Sequence, residues 1–330
     1  MAAGRRYVAG GVAVLLMVLG LSAWASPSPT NAPNTLGVYR GASNPAGVKQ
    51  FARWLGHPAA YALDFVPAKD WQTISNPGGL GVWHKGCRCT LVLGVPLIPY
   101  SGGTLKDGAA GAYDGYFRQL ARKLRRIGLG NAILRLGWEF SGDWYPWSVH
   151  DNEQAVEFAG YWRHVVRAMR GVSPALRFDW NPAHGWRPFD INRSYPGNAY
   201  VDYIGLDVYD QGWQPDFANP QVRWADLVNG DGGLAWHRSF ARQHGKPMSF
   251  PEWGLSLRSD GHGGGDDPYF IDRMHDWFVA NRIAYQIYFE FDAPDGEHRL
   301  MVGHFPNGAE AFRERFGNDP SPRLALRPGD

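Results

Sequence analysis

The 330-residue chain is short of charge and of cysteine. Charged residues are 19% of it against 44% hydrophobic and 14% aromatic, with no long acidic, basic, glutamine-rich or serine-rich tract. That excludes an intrinsically disordered body, which requires many charges and few apolar groups. Lys and Arg number 33 and Asp and Glu 31, and Arg5 and Arg6 fall in a leader, so the rest of the chain is balanced. Nothing in it attracts a polyphosphate or an anionic membrane as a whole, and no nucleic-acid partner is expected. The two cysteines, Cys87 and Cys89, are too few for a zinc site of their own, and their spacing leaves open either two thiols or a small bridge. There is no HExxH pair, no P-loop and no dinucleotide fingerprint, since Gly79-Leu80-Gly81 lacks the third glycine. Neither a metal nor an organic cofactor is called for. The stretch Asp260 to Asp267 reads as a mobile loop ahead of a calcium site, and Arg122 to Arg126 as the solvated face of a helix.

What is present begins with a leader. Arg5 and Arg6 precede an apolar stretch from Val8 to Leu21, followed by the small-x-small site Ala23-Trp24-Ala25. This is the pattern of an export signal over residues 1–25, with a Pro/Ser-rich spacer at 26–34, so the mature chain is expected outside the cytoplasm, secreted or periplasmic. An uncleaved anchor is the competing reading, because the apolar stretch approaches spanning length. Residues 318–330 read as a C-terminal tail.

Between 35 and 317, short apolar β-branched runs alternate with segments of helical period. Strands are expected at Leu36 to Arg40, Tyr61 to Val66, Thr90 to Ile98, Ala132 to Glu139, Leu176 to Trp180, Tyr200 to Tyr209, Met248 to Trp253 and Ala284 to Phe291. Helices are expected at Gly47 to Leu55, Tyr113 to Ile127, Glu153 to Met169, Trp224 to His244, Tyr269 to Asn281 and Gly308 to Phe316. From Tyr116 to Ile127 apolar positions recur three and four apart, as one buried helix face requires. The connections through Asp70 to Gly86 and Pro182 to Asn198 are irregular. Eight strands interleaved with helices predict a single-domain (β/α)8 TIM barrel; an open doubly wound sheet is disfavoured because no phosphate-binding glycine loop follows the first strand.

In such a barrel the reactive groups come from the carboxyl ends of strands. Two glutamates qualify: Glu139 closes Ile133-Leu-Arg-Leu-Gly-Trp-Glu, and Glu252 lies in Pro247-Met-Ser-Phe-Pro-Glu-Trp-Gly254. At the ends of the fourth and seventh strands they face each other across the mouth. Glycoside hydrolysis needs such a pair, one to protonate the leaving oxygen and one to attack the anomeric carbon or activate water. A salt bridge to an arginine is the alternative for either glutamate alone. After Glu139 comes a ring-rich loop with Trp144, Tyr145 and Trp147, and tryptophan offers the flat apolar face on which sugar C–H groups stack. Trp162, Trp224, Trp236 and Trp277, on helices, are assigned to packing.

With these residues the chain resembles glycoside hydrolase family 26, the β-mannanase family of the clan of (β/α)8 retaining glycosidases, from Gly37 to about Phe291. The resemblance rests on Arg135 four residues before Glu139, on Gly142 and Trp144 to Trp147, on Asp207 and Tyr209 at the end of the sixth strand, and on Pro247 to Gly254. It implies that Glu139 is the acid/base and Glu252 the nucleophile, that Arg135 and Tyr209 position the nucleophile, and that the cleft binds sugar through Trp144 and Trp147. Trp138, Tyr145, Trp180, Asp207 and Trp253 join the expected substrate-binding set. Two positions depart from the family pattern: Trp138 stands where a His usually precedes the acid/base, and Tyr288-Phe289-Glu290-Phe291 carries no Trp.

The expected activity is therefore retaining, endo-acting hydrolysis of a β-linked polysaccharide: β-1,4-mannan, a β-xylan, a β-glucan or a bacterial exopolysaccharide. A non-catalytic glycan-binding barrel and a transglycosylase acting on the producer's own exported glycan are the alternatives. Oligomeric state is not legible.

Overall fold

The computed structural model describes residues 34–317, so the leader, its cleavage site, most of the spacer and the tail lie outside the described residues. Parallel strands β1 (Leu36–Tyr39), β2 (Tyr61–Phe65), β3 (Thr90–Val95), β4 (Ile133–Leu136), β5 (Arg177–Trp180), β6 (Tyr203–Gly205), β7 (Val208–Tyr209), β8 (Met248–Gly254) and β9 (Tyr285–Phe289) form one sheet. Pairing of β1 with β9 and of β6 with β8 closes it, and β7 also pairs with β8. β6 and β7 are the two parts of one barrel strand, interrupted at Leu206 and Asp207, so the barrel is eight-stranded and the open-sheet alternative falls away.

Alternation along each strand sorts side chains into two cores, as a pleat of period two requires. Tyr39, Leu63, Val92, Ile133, Tyr285, Ile287 and Phe289 meet inside the barrel. Leu91, Leu93, Leu134, Leu136, Phe178, Trp180, Ile204 and Phe250 point outward, into the larger core shared with the helices. Gly37 makes room in the interior: a Cβ there would lie 2.8 Å from Ile287 and from Tyr61.

The helices match expectation in place more than in length. The segment expected as Trp224 to His244 is two helices, Pro220–Asn229 and Leu234–His244, because Gly230-Asp-Gly-Gly breaks the run. The helix Asp114–Arg126 buries Phe117, Leu120, Ala121 and Leu124, whereas Tyr116 is 38% exposed and lies at the edge, stacked on Trp71, so the inner face is rotated from the expected one. The irregular connection after β2 holds only the short helices Trp71–Ser75, Leu80–Val82 and Trp83–Gly86. Cys87 and Cys89 are joined as a disulfide beside the last of these.

The acid-rich stretch 260–267 is occupied by structural duties. Asp260 pairs with Arg258, Asp266 accepts from the backbone N–H groups of Asn307 and Gly308, and Asp267 caps the helix Pro268–Asn281 while pairing with Arg223. Among the described residues no group of three or more His, Cys, Asp or Glu is placed to hold a metal ion, and no helix is long and apolar enough to cross a membrane.

Candidate active site

The alternation that builds the barrel also aims the polar residues. In β4, Ile133 points inward, so Arg135, two residues on, points inward one layer higher, while Leu134 and Leu136 face the helices. Through β6 and β7, Tyr203, Asp207 and Tyr209 take the inner phase and Ile204, Leu206 and Val208 the outer. β8 is different. Met248 and Phe250 point outward, and strict alternation would send Glu252 outward too. The register with β9 shifts between Phe250 and Trp253, so Trp253 takes the outer phase and Glu252 turns into the barrel mouth. A bulge of this kind commonly re-aims a side chain beside a functional site.

The end of β4 turns just as abruptly. Gly137 has φ 50° and Glu139 φ 53°. The left-handed region suits Gly137, whose Cβ would meet Leu97 at 2.8 Å, but costs a glutamate free energy. Two backbone bonds hold the turn: the N–H of Gly137 donates to the carbonyl of Val95 (2.8 Å) and that of Glu139 to the carbonyl of Asn181 (2.8 Å).

The resulting cluster is tightly paired. Buried Arg135 donates from Nε to Asn181 Oδ1 (2.7 Å), from Nη1 to Glu252 Oε1 (2.7 Å) and from Nη2 to Asp207. Tyr209 donates its hydroxyl to the other Glu252 oxygen, Oε2 (3.0 Å), and Asp207 Oδ1 accepts the backbone N–H of Glu252 (3.0 Å). Glu252 is thus fixed at both carboxylate oxygens and at its backbone. Its salt bridge and its place in a reactive pair are compatible, since the same guanidinium that pairs with it also aims it.

Glu139 has no arginine of its own; it accepts one hydrogen bond, from Trp144 Nε1 to Oε2 (3.1 Å). Burial first, and then the negative charge of Glu252, push its pKa up to about 8, against weaker pulls from Arg135 and Trp144. The two glutamates therefore differ in their surroundings: burial keeps the proton on Glu139 near neutrality, while both oxygens of Glu252 are held by Arg135 and Tyr209.

Both line a cleft of about 780 Å³, together with Trp144, Tyr145, Asp207 and Tyr209. Trp138 sits behind this wall, buried against Phe65, Tyr145 and Trp147, and donates to the Tyr145 hydroxyl (3.1 Å). Trp138 and three other expected substrate contacts are corrected. Trp147 is 0% exposed and donates to the carbonyl of Trp138 (2.8 Å), so it supports the loop from below. Trp180 and Trp253 take the outward phase of their strands: Trp180 packs on Phe140 and Phe240, Trp253 on Phe278 and Phe312. None of the four lines the cleft. Trp162, Trp224, Trp236 and Trp277 lie in or against the main core.

Sequence reasoning did not single out several residues that line the cleft. Trp186 (73% exposed) and Trp213 (59% exposed) stand at its edge with His184, Gln214, Phe289 and His298. The two tryptophans stand in loops after β5 and β7, where the only available signal was a lone ring among glycines and polar residues.

Comparison with known proteins agrees with this picture. Residues 111–232 match the model of glycosyl hydrolase family 26. Endoglucanase H of Acetivibrio thermocellus is 26% identical over 211 residues, 60% of this chain and 22% of that protein. The mannan endo-1,4-beta-mannosidase of Bifidobacterium adolescentis is 27% identical over 189 residues, 55% of this chain and 17% of that protein. The matches thus span less than a quarter of the length of either curated relative. The catalytic domain of a GH26 endo-beta-1,4-mannanase from Bacillus sp. JAMB-750 superposes with a TM-score of 0.59 at 16% identity, covering 86% of this chain and 87% of that one, a likeness of fold. The chain thus resembles family 26 in sequence over part of its length and shares the barrel fold of a solved family 26 catalytic domain.

Proposed function

Taking the family 26 match as premise, we propose that this chain is a retaining β-glycoside hydrolase in which Glu252 is the nucleophile and Glu139 the acid/base. Glu252 attacks the anomeric carbon while Glu139 gives its proton to the departing glycosidic oxygen. Glu139, now a carboxylate, then takes a proton from water as that water displaces Glu252. The observation that carries the assignment is the asymmetry of the pair: Glu139 has its pKa pushed up to about 8, while both oxygens of Glu252 are held by Arg135 and Tyr209. Arg135 and Tyr209 position the nucleophile, and Asp207 holds Arg135 and the Glu252 backbone in turn.

The substrate in this reading is a β-linked polysaccharide of the mannan type or a close relative of it, cut within the chain. A relative named as a mannosidase and another named as an endoglucanase support that range, as does the open, tryptophan-edged cleft. The leader supports export with cleavage at Ala25-Ser26, which the intact mass of the exported protein tests: a mass retaining the leader refutes cleavage.

Kinetics of Glu139→Ala and Glu252→Ala test the chemistry. Glu139→Ala is expected to fail on natural glycans yet still cleave an activated aryl glycoside in the first step, and azide then gives a β-glycosyl azide. Glu252→Ala is expected to fail on both, with azide giving the opposite anomer. Reversed anomers would exchange the roles. Unchanged activity in either variant would sink the two-carboxylate mechanism, a wild type that hydrolyses nothing would leave a glycan-binding barrel, and chromatography of the wild-type products separates hydrolysis from transglycosylation.

A further inference from the structure

Beyond the two glutamates, the cleft continues toward the loops that follow β5 and β7, and that arm carries polar groups with no partner. His184 lines it, and its Nε2 is shut off from solvent without a hydrogen bond. Gln214 lines it too: its Oε1 accepts the backbone N–H of Trp213 (3.0 Å), while its Nε2 is buried and unpartnered. Buried polar atoms are nearly always satisfied, so two orphans in side chains of one cleft wall mark places where a turn of the ring or amide would let a bound molecule supply the missing partner.

The same arm offers flat apolar surfaces. Trp186 and Trp213 are among the most exposed large side chains of the described residues, and a solvated indole facing a cleft is unfavourable unless a ligand covers it. Trp213 is held in place, stacked on His262 (ring centroids 5.4 Å, 21° between planes) with the Arg258 guanidinium 5.7 Å from its ring. The loops are tied together: the N–H of His184 donates to the carbonyl of Asp207 and that of Gly185 to the carbonyl of Asp231. The ligand platform is therefore built into the backbone that also carries Asp207.

Its charge restricts the ligand. Asp226 and Asp231 line this arm; neither forms a salt bridge among the described residues, and the Arg187 guanidinium lies near enough to Asp231 to feel its charge. Arg258, among the described residues the one Lys or Arg side chain lining the cleft, is already paired with Asp260 and Asp295. A uronate or sulfated sugar would meet these carboxylates with only the Arg187 guanidinium near Asp231 to offset them, whereas the hydroxyls of a neutral pyranose can donate to them and, once the His184 ring or the Gln214 amide turns toward the cleft, bond to the orphan nitrogens.

We propose that His184, Trp186, Trp213 and Gln214, rimmed by Asp226 and Asp231, form a distal subsite that takes an uncharged pyranose unit of the glycan and rejects uronate units. The subsite rests on the reading of the cleft as a glycan site, but it can be tested without any turnover. Affinity electrophoresis of the full chain in gels containing galactomannan, glucomannan, mixed-linkage β-glucan or alginate is expected to show retardation by at least one neutral glycan and none by alginate. Trp186→Ala and Gln214→Ala are expected to weaken that retention about three- to tenfold, in keeping with the worth of one stacked ring or one buried hydrogen bond. Trp186 is exposed enough that its variant should melt like the wild type, which separates lost binding from lost folding. Retention by alginate, no retention by any neutral glycan, or retention unchanged in both variants overturns the subsite. Binding that depends on Trp186 in a chain that hydrolyses nothing would keep the subsite and sink the hydrolase; hydrolysis with both variants retained like the wild type would do the reverse.

Discussion

Replacing Glu139 by Gln should change the pH dependence of stability in a calculable direction, whatever the substrate. Unfolded, a glutamate releases its proton near 4.5; folded, Glu139 holds it to about 8. Between those values the folded chain binds a proton that the unfolded chain has lost, so this group's contribution is fully present below pH 4.5 and is lost as pH rises to 8, beyond which both states are ionised and the loss stops. At 1.36 kcal/mol for each pH unit, a gap of about 3.5 gives a ceiling of about 5 kcal/mol. Glu139 retains some contact with solvent in the open cleft, and screening brings the figure to about 2 kcal/mol. With about 280 described residues at about 2.1 cal/mol/K each, the unfolding entropy is about 0.6 kcal/mol/K, so 2 kcal/mol corresponds to about 3 °C in Tm. The assay is thermal melting of wild type and Glu139→Gln from pH 4.5 to 8.5. The variant should gain about 3 °C on the wild type across that range and hold a constant difference above it. Parallel curves, or a gain toward acid pH, would refute a Glu139 that is protonated at neutrality.

The other expectations follow from the same geometry. Arg135→Met leaves Glu252 and Asp207 buried without a cation and should cost about 3–5 kcal/mol, read as a fall in Tm of at least about 5 °C; Arg135→Lys should not restore it, because a single ammonium cannot serve Asn181, Glu252 and Asp207 in the guanidinium's fork. Trp147→Ala should destabilise by about 3–5 kcal/mol as a fully buried ring, and a melt like that of the wild type would return Trp147 to the cleft surface. Trp144→Phe removes the hydrogen bond that favours the Glu139 carboxylate, so the alkaline limb of kcat/KM should move to higher pH; a shift to lower pH would contradict the contact.

How much was legible follows from which signals are local. Alternation of β-branched runs with helical segments is written along the chain, and a parallel strand covered on both faces reads as an apolar run wherever it lies, so all eight barrel strands could be placed. Glu139, Glu252, Arg135, Asp207 and Tyr209 stand at the ends of such runs, and a barrel gathers strand ends at one mouth. The split of the sixth strand and the break in the helix expected at Trp224 to His244 depend on a few residues of backbone geometry, which apolar periodicity does not record.

The direction in which each ring points was not legible. Trp180, Trp253 and Trp147 have the same composition and neighbourhood as a sugar platform, yet the pleat sends the first two to the helix side and the third lies under its own loop. Trp186 and Trp213 sit in irregular loops, where no period assigns a face. Residue type and strand ends alone determined the barrel and the acidic pair at its mouth. Only the tertiary structure decided that the register shift in β8 turns Glu252 inward, that one guanidinium clamps it while burial keeps the proton on Glu139, and which tryptophans meet the cleft, because facing and desolvation depend on contacts between segments far apart in sequence.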